Sequence, residues 1–167
     1  MINLKQSLTQ PLTKAHSGLV VLFLVVALIG FADAGFLAVE HYRGVIPPCE
    51  LVSGCEEVLT SSYSFILGVP VSLLGTLYYL AVSICVLIFL ESKHVTEEVK
   101  AHHTAILKWS LVATLAGLLM SAWFVYVQAF IIGSYCLYCL GSALTSTLLF
   151  IIAAIIFHKD ARGSETL

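Results

Sequence analysis

Four apolar stretches, each about 20 residues or more, constrain this chain more than any other feature of its sequence. They run over Ser17–Val39, Gly68–Leu90, Trp109–Ile132 and Cys136–Phe157. The last three carry no charged residue, and the first carries one, Asp33. A helix on a water-soluble core is apolar along one stripe and polar along the other. These segments are apolar all round, as helices in lipid are. They predict an all-α integral membrane protein, a four-transmembrane-helix bundle in a lipid bilayer. The chain is 59% hydrophobic and 11% charged, with a mean hydropathy of +0.99. A soluble domain carries about a quarter charged residues to keep its surface wet. Eight Lys+Arg against ten Asp+Glu give a net charge of −2, which leaves no basic footprint for nucleic acid. Soluble enzyme, disordered tail and nucleic-acid binder are thereby excluded.

Lys and Arg are retained on the cytoplasmic side of a membrane and so fix orientation. Lys5 and Lys14 precede the first span, Lys93, Lys100 and Lys108 lie between the second and third, and Lys159 and Arg162 follow the fourth. Only Arg43 lies between the first two spans, beside Glu40, Glu50, Glu56 and Glu57. The expected organisation is a cytoplasmic segment over residues 1–16, a four-helix transmembrane domain over 17–157 and a frayed cytoplasmic tail over 158–167. Residues 40–67 form an outer loop carrying a cysteine pair, and residues 91–103 form a polar cytoplasmic connection. Ala32-Asp33-Ala34 has the small-x-small look of a signal-peptidase site. The apolar run continues through Val39, however, which is long enough to span. Within the outer loop, Cys55–Ser62 places Val58 and Leu59 among acidic and hydroxyl residues, suiting a short interfacial helix. Pro70 suits the first turn of the second span, where a missing N–H costs nothing.

Five cysteines sit on this frame. Cys49 and Cys55 occupy the outer loop, and Cys136 and Cys139 open the fourth span at the same face, the side where disulfides persist. Cys85 lies 17 residues into the second span, about 25 Å deep at 1.5 Å per residue. It reads as a small buried apolar residue out of reach of the others. Cys136-Leu137-Tyr138-Cys139 is a C-x-x-C at a helix start, following Gly133-Ser134. Residues i and i+3 share a helix face, and the helix N-terminus favours thiolate. A mobile dithiol on a loop beside a fixed one is what thiol–disulfide relay needs, because each exchange requires sulfur contact. Two static disulfides would use the same four residues, and a C-x-x-C can be half of a metal site. Metal is disfavoured, because a zinc site closes with four ligands away from lipid.

The pattern resembles the vitamin K epoxide reductase family over the whole four-helix core. The resemblance rests on Cys49-x5-Cys55, on Cys55-Glu56-Glu57-Val58-Leu59-Thr60-Ser61-Ser62-Tyr63, on Gly68-Val69-Pro70, and on Cys136-x-x-Cys139. The DsbB type of membrane oxidase also has four helices and two cysteine pairs, but in the reverse order, so that likeness is architectural. The resemblance implies a disulfide-forming oxidoreductase of the bacterial cytoplasmic membrane, with both termini cytoplasmic and its active site on the periplasmic side. A reduced thioredoxin-like or DsbA-like protein would give electrons to the loop disulfide, and a quinone (ubiquinone or menaquinone) would receive them. By position, Cys55 would form the mixed disulfide with the partner, Cys49 would relay to Cys136, and Cys139 would face the quinone. Ser61 stands where a family serine bonds a quinone oxygen, with Ser62 the alternative. Ala143 stands where the vertebrate enzymes carry tyrosine, which points to the bacterial quinone-reducing branch. Many bacterial members carry a fused thioredoxin-like domain. Here the chain stops ten residues after the fourth span, so the expected thiol partner is a separate protein. A DsbA-like oxidant near about −120 mV needs an acceptor at least as oxidising, and a membrane quinone supplies it.

Alternatives remain at this level: reduction of a quinone or vitamin K epoxide with thiols only as reductant, or a structural protein with static disulfides. Asp33, an intramembrane carboxylate, is a candidate for proton or quinone chemistry, or else pairs with a neighbouring helix. Tyr63 is a candidate to cap the quinone, whereas Phe65, Trp123, Tyr126, Tyr135 and Tyr138 also suit interfacial anchoring. His94, His102 and His103 read as solvated surface rather than a metal site.

Overall fold

The structure, a computed structural model, describes residues 4–49, 54–92 and 99–165. Apolar length dominates what forms. Helix α1 covers Leu4–Arg43, α3 Val71–Ser92, α4 Val99–Tyr126 and α5 Leu137–Glu165, and each contains one of four segments long and apolar enough to cross a membrane. Between α1 and α3 lie the short helix α2 (Cys55–Thr60), a 3-10 turn at Ser62–Ser64 and two two-residue strands, β1 (Phe65–Ile66) and β2 (Val69–Pro70).

The long helices pack in the order α3–α1–α5–α4, and α3 meets α4 only sparsely. Small residues permit the close crossings, as expected where lipid is as apolar as the side chains. Ala27 is fully buried, Ala34 nearly so. A Cβ at Gly30 would collide with the Tyr79 ring. Val20, Phe23, Val82, Leu149 and Ile152 complete the core, while Leu22, Ile29, Leu87 and Ile151 point outward to where acyl chains would lie.

Several boundaries differ from the sequence expectation. The third and fourth long helices extend past their apolar stretches, so the connection expected over 91–103 is helical from Val99 and the tail expected to fray is helical to Glu165. Lys, Ala, His and Glu lower helix propensity little, and an existing helix propagates cheaply. Helix α1 ends where Gly44 takes φ 67°. There the Gly44 N–H donates to His41 O at 3.1 Å and Val45 N–H to Glu40 O at 3.0 Å, a left-handed cap. Pro70 is not in a first helical turn. It ends a hairpin in which Ile66 pairs with Val69 and Phe65 with Pro70. The turn residues Leu67 (φ 51°) and Gly68 (φ 80°) are both left-handed, the conformation that tight hairpins demand. Cys85 is exposed rather than buried. Its neighbours Val82, Ser83 and Val86 turn inward, so the helical period puts Cys85 with Ile84 and Leu87 on the outer face.

Candidate functional site

The chemistry gathers at one end of the bundle. Helix α2 is only six residues long and is held through its underside, where Cys55 and Val58 are buried. They pack against fully buried Cys136, with Cys49, Cys139 and Ile132 around them. Cys49 and Cys55 form a disulfide with Cα atoms 6.2 Å apart, while Cys136 and Cys139 are free thiols. The two pairs expected to converge do so. Their exposure differs: Cys55 is buried against Cys136, whereas Cys49 is partly exposed.

Three residues hold this arrangement: Gly54 and Gln128, which the sequence did not single out, and Tyr138, which it offered as an interfacial anchor. Gly54 lets the chain before Cys55 lie directly on the backbone of Tyr135. A Cβ there would stand 2.7 Å from Tyr135 N and 2.8 Å from Ser134 Cβ. Tyr138, inside the C-x-x-C, donates its hydroxyl to Pro48 O at 3.2 Å, tying the residue before Cys49 to α5. Gln128 lies in a π-helical turn, Val127–Ile132, that ends α4 and is stopped by Gly133 at φ 73°. Its side chain is buried, and its Oε1 accepts the Cys136 N–H at 2.8 Å. A buried amide in an apolar span was the available signal for Gln128, because intramembrane polar groups are costly unless they have partners.

The Cys136 thiol, just before α5, lies below the ordinary thiol range. The dominant cause is the side-chain hydrogen bond with Cys139. Backbone N–H groups of Cys139 and Tyr138 act in the same sense, while burial and the charge of Asp33 oppose it. A thiolate at a helix start is the expected result.

Beneath α2 and the hairpin lies a cavity of about 600 Å³, within the range of small-molecule sites. Its walls are largely apolar, including Leu37, Leu74, Met120 and Phe124, and Cys139 opens into it from α5. Leu74 and Met120, on the two helices that barely touch, both line the cavity. The cavity therefore lies along the sparse seam between α3 and α4.

Polar groups in its wall are few. Ser61 lines it and Ser62 does not. The Ser61 hydroxyl donates to Val58 O at 2.8 Å, so its proton would have to turn into the cavity to meet a carbonyl. Tyr63 and Phe65 are both wall residues, and Phe65 packs edge-on against His41 with ring centres 5.2 Å apart. Tyr79 is anchored to α5: its hydroxyl meets Ser142 O at 2.8 Å, Thr145 Oγ1 at 2.7 Å and Ser146 Oγ at 3.0 Å. The neighbouring Tyr78 hydroxyl is enclosed and has no hydrogen-bond partner among the described residues. An unpaired buried hydroxyl costs roughly 1–3 kcal/mol.

Asp33 is not a cavity residue. It stands on the α1–α5 side, with Oδ1 4.0 Å from where a Cβ of Gly141 would be, and its enclosed Oδ2 has no partner among the described residues. His94 lies outside the described residues, as do the side chains of His102 and His103.

A redox-capable sulfur in the wall, largely apolar surfaces and a few hydroxyl groups fit a quinone ring with an apolar tail. A family model described as vitamin K epoxide reductase family matches residues 21–154, most of the chain. No curated protein matches it.

Proposed function

The chain belongs to the vitamin K epoxide reductase family, and from that premise we propose that it reoxidises a separate thioredoxin-like dithiol protein and passes the electrons to a membrane quinone. It is a multi-pass membrane oxidoreductase of a family that couples thiols to quinones. The observation that carries the finer reading is the gathering of four cysteines at one end, with Cys139 alone among them lining an apolar cavity.

A sequence of exchanges follows from the burial. Cys49 is the less buried residue of the pair, so we assign partner attack to Cys49 and relay to Cys55, the reverse of the loop-cysteine order that the resemblance implies. A partner thiolate attacks Cys49 and displaces the Cys55 thiolate, and the second partner cysteine then releases the partner as a disulfide. The Cys55 thiolate attacks Cys136 of a Cys136–Cys139 disulfide and expels the Cys139 thiolate. Cys49 then closes onto Cys55. The result is the arrangement in the structure, with the loop pair bonded and the C-x-x-C reduced. A quinone supplies a two-electron, two-proton acceptor. On its reduction Cys136 and Cys139 close to a disulfide and give up both electrons and both thiol protons. The depressed Cys136 thiol provides the nucleophile for that closure. Ser61 is the wall hydroxyl nearest in kind to a carbonyl partner, Tyr63 closes the cavity from above, and Asp33 acts on the thiols through its charge. The charge distribution along the chain supports placing the cysteine end outside a bacterial cytoplasmic membrane.

The test is quinone reduction by purified protein in detergent, with a reduced thioredoxin-like dithiol protein as donor. Wild type turns over, and Cys139→Ala and Cys55→Ala fall to background. A donor whose second cysteine is replaced by alanine accumulates a mixed disulfide with Cys49 of the wild type, as the Cys55 thiolate leaves. Inactivity with both benzoquinones and naphthoquinones, together with disulfides that resist mild reductant, would leave the static-disulfide reading in possession.

A further inference from the structure

Tyr78 is the unexplained group in the cavity. Three features fix its side chain. Tyr79 is pinned to α5 by its hydroxyl contacts, and the Tyr78 ring packs against it in a T-shape with centres 5.0 Å apart. On the far side, the Tyr78 hydroxyl rests over Gly117 of α4, where a Cβ would collide with it. Gly117 therefore forms a cradle that brings the hydroxyl across the α3–α4 gap. Tyr78 lines the cavity, and its hydroxyl has no partner among the described residues. It is covered where it rests over Gly117, so a ligand in the cavity meets it as the side chain lifts from that glycine. Buried polar groups almost always have partners, and an orphan beside a cavity points to a partner that is not protein.

We infer that the Tyr78 hydroxyl is a hydrogen-bond donor to a carbonyl oxygen of the bound quinone, set deeper in the bundle than the Ser61–Cys139 level. The inference rests on the quinone reading above and goes beyond it by naming a second polar pole. Side chains on a helix lean toward its N-terminus, and α3 begins at the cysteine end, so Tyr78 reaches upward from below the redox sulfur. A para-quinone carries carbonyls at opposite ends of its ring, and a donor to one of them fixes which carbon faces Cys139. Tyr78 is thus a positioning residue that gives up no electron or proton in the reaction.

The experiment compares wild type with Tyr78→Phe, which removes one oxygen and keeps the ring against Tyr79 and Gly117. Dissociation constants for a short-chain benzoquinone and naphthoquinone are read from quenching of intrinsic fluorescence. Carbonyl stretching bands of the bound, ¹³C-labelled quinone are read by infrared difference spectroscopy. Loss of one neutral hydrogen bond weakens binding on the order of five- to tenfold, and one carbonyl band moves up toward its free frequency. The quinone-free variant unfolds at the same temperature as wild type or higher, because it no longer buries an unpaired hydroxyl, whereas a structural role for that hydroxyl would lower it. Unchanged affinity and bands in Tyr78→Phe, with normal quinone binding by wild type, overturn the assignment of Tyr78 alone. Failure of wild type to bind either quinone overturns the proposed function and this inference together.

Discussion

The two ends of the bundle are built from different forces. Away from the cysteines, Val20, Phe23, Leu149, Ile152 and Ile156 meet with no directional contact between them. Dispersion and close fit hold that region, because burial from lipid gains little hydrophobic free energy. At the cysteine end few large apolar residues are buried. Order there comes from single specific contacts: Gln128 to the Cys136 N–H, Tyr138 to Pro48, and Gly54 against Tyr135. A packed region degrades gradually as atoms are removed. A region held by a few named contacts loses its geometry at once, which suits exchange chemistry that depends on sulfur-to-sulfur contact.

The contrast can be broken most sharply at Gly54. Gly54→Ala puts a methyl group against the Tyr135 backbone and lifts α2 from Cys136. Thiol-to-quinone turnover should fall at least on the order of tenfold, since small misplacements of reacting groups are costly, while the thermal midpoint moves little. Leu149→Ala tests the other end. It should lower stability by about 2–4 kcal/mol through a cavity in the core, measured by denaturant titration in detergent, and leave turnover per folded molecule unchanged. Loss of turnover at equal folded fraction would show that the two ends are coupled. The smallest effect belongs to Asp33→Asn. The Asp33 charge opposes ionisation of Cys136, so its removal should shift the pH profile of Cys136 alkylation to lower pH by a fraction of a unit to about one unit. An unmoved or upward-shifted profile would sever Asp33 from the thiols.

The spans were legible because length and lack of charge admit one answer in lipid. The meeting of the four cysteines was legible from the parity of membrane crossings. The short helix at Cys55 was legible from Val58 and Leu59, although it ends at Thr60 and gives way to a 3-10 turn. The hairpin was hidden, because Leu67 is a poor advertisement for a left-handed turn residue. Gly54, Gln128 and the bond from Tyr138 to Pro48 were hidden for another reason: each acts on a residue brought near only by the fold, and no spacing in the sequence records that. Cys85 was misjudged because a span that is apolar on every side does not reveal which side faces its neighbours.

The loose seam between α3 and α4 also decides how a ligand would be counted. A molecule that slips through it comes from the plane of the bilayer and not from water. Its working concentration is then its mole fraction among lipids, and bulk molarity drops out of the rate law. Half-saturation for such a ligand should rise in proportion to added detergent at constant total quinone, as each micelle dilutes the pool. In a membrane of fixed composition the same protein would respond to how crowded the leaflet is with quinone, a two-dimensional supply set by lipid area.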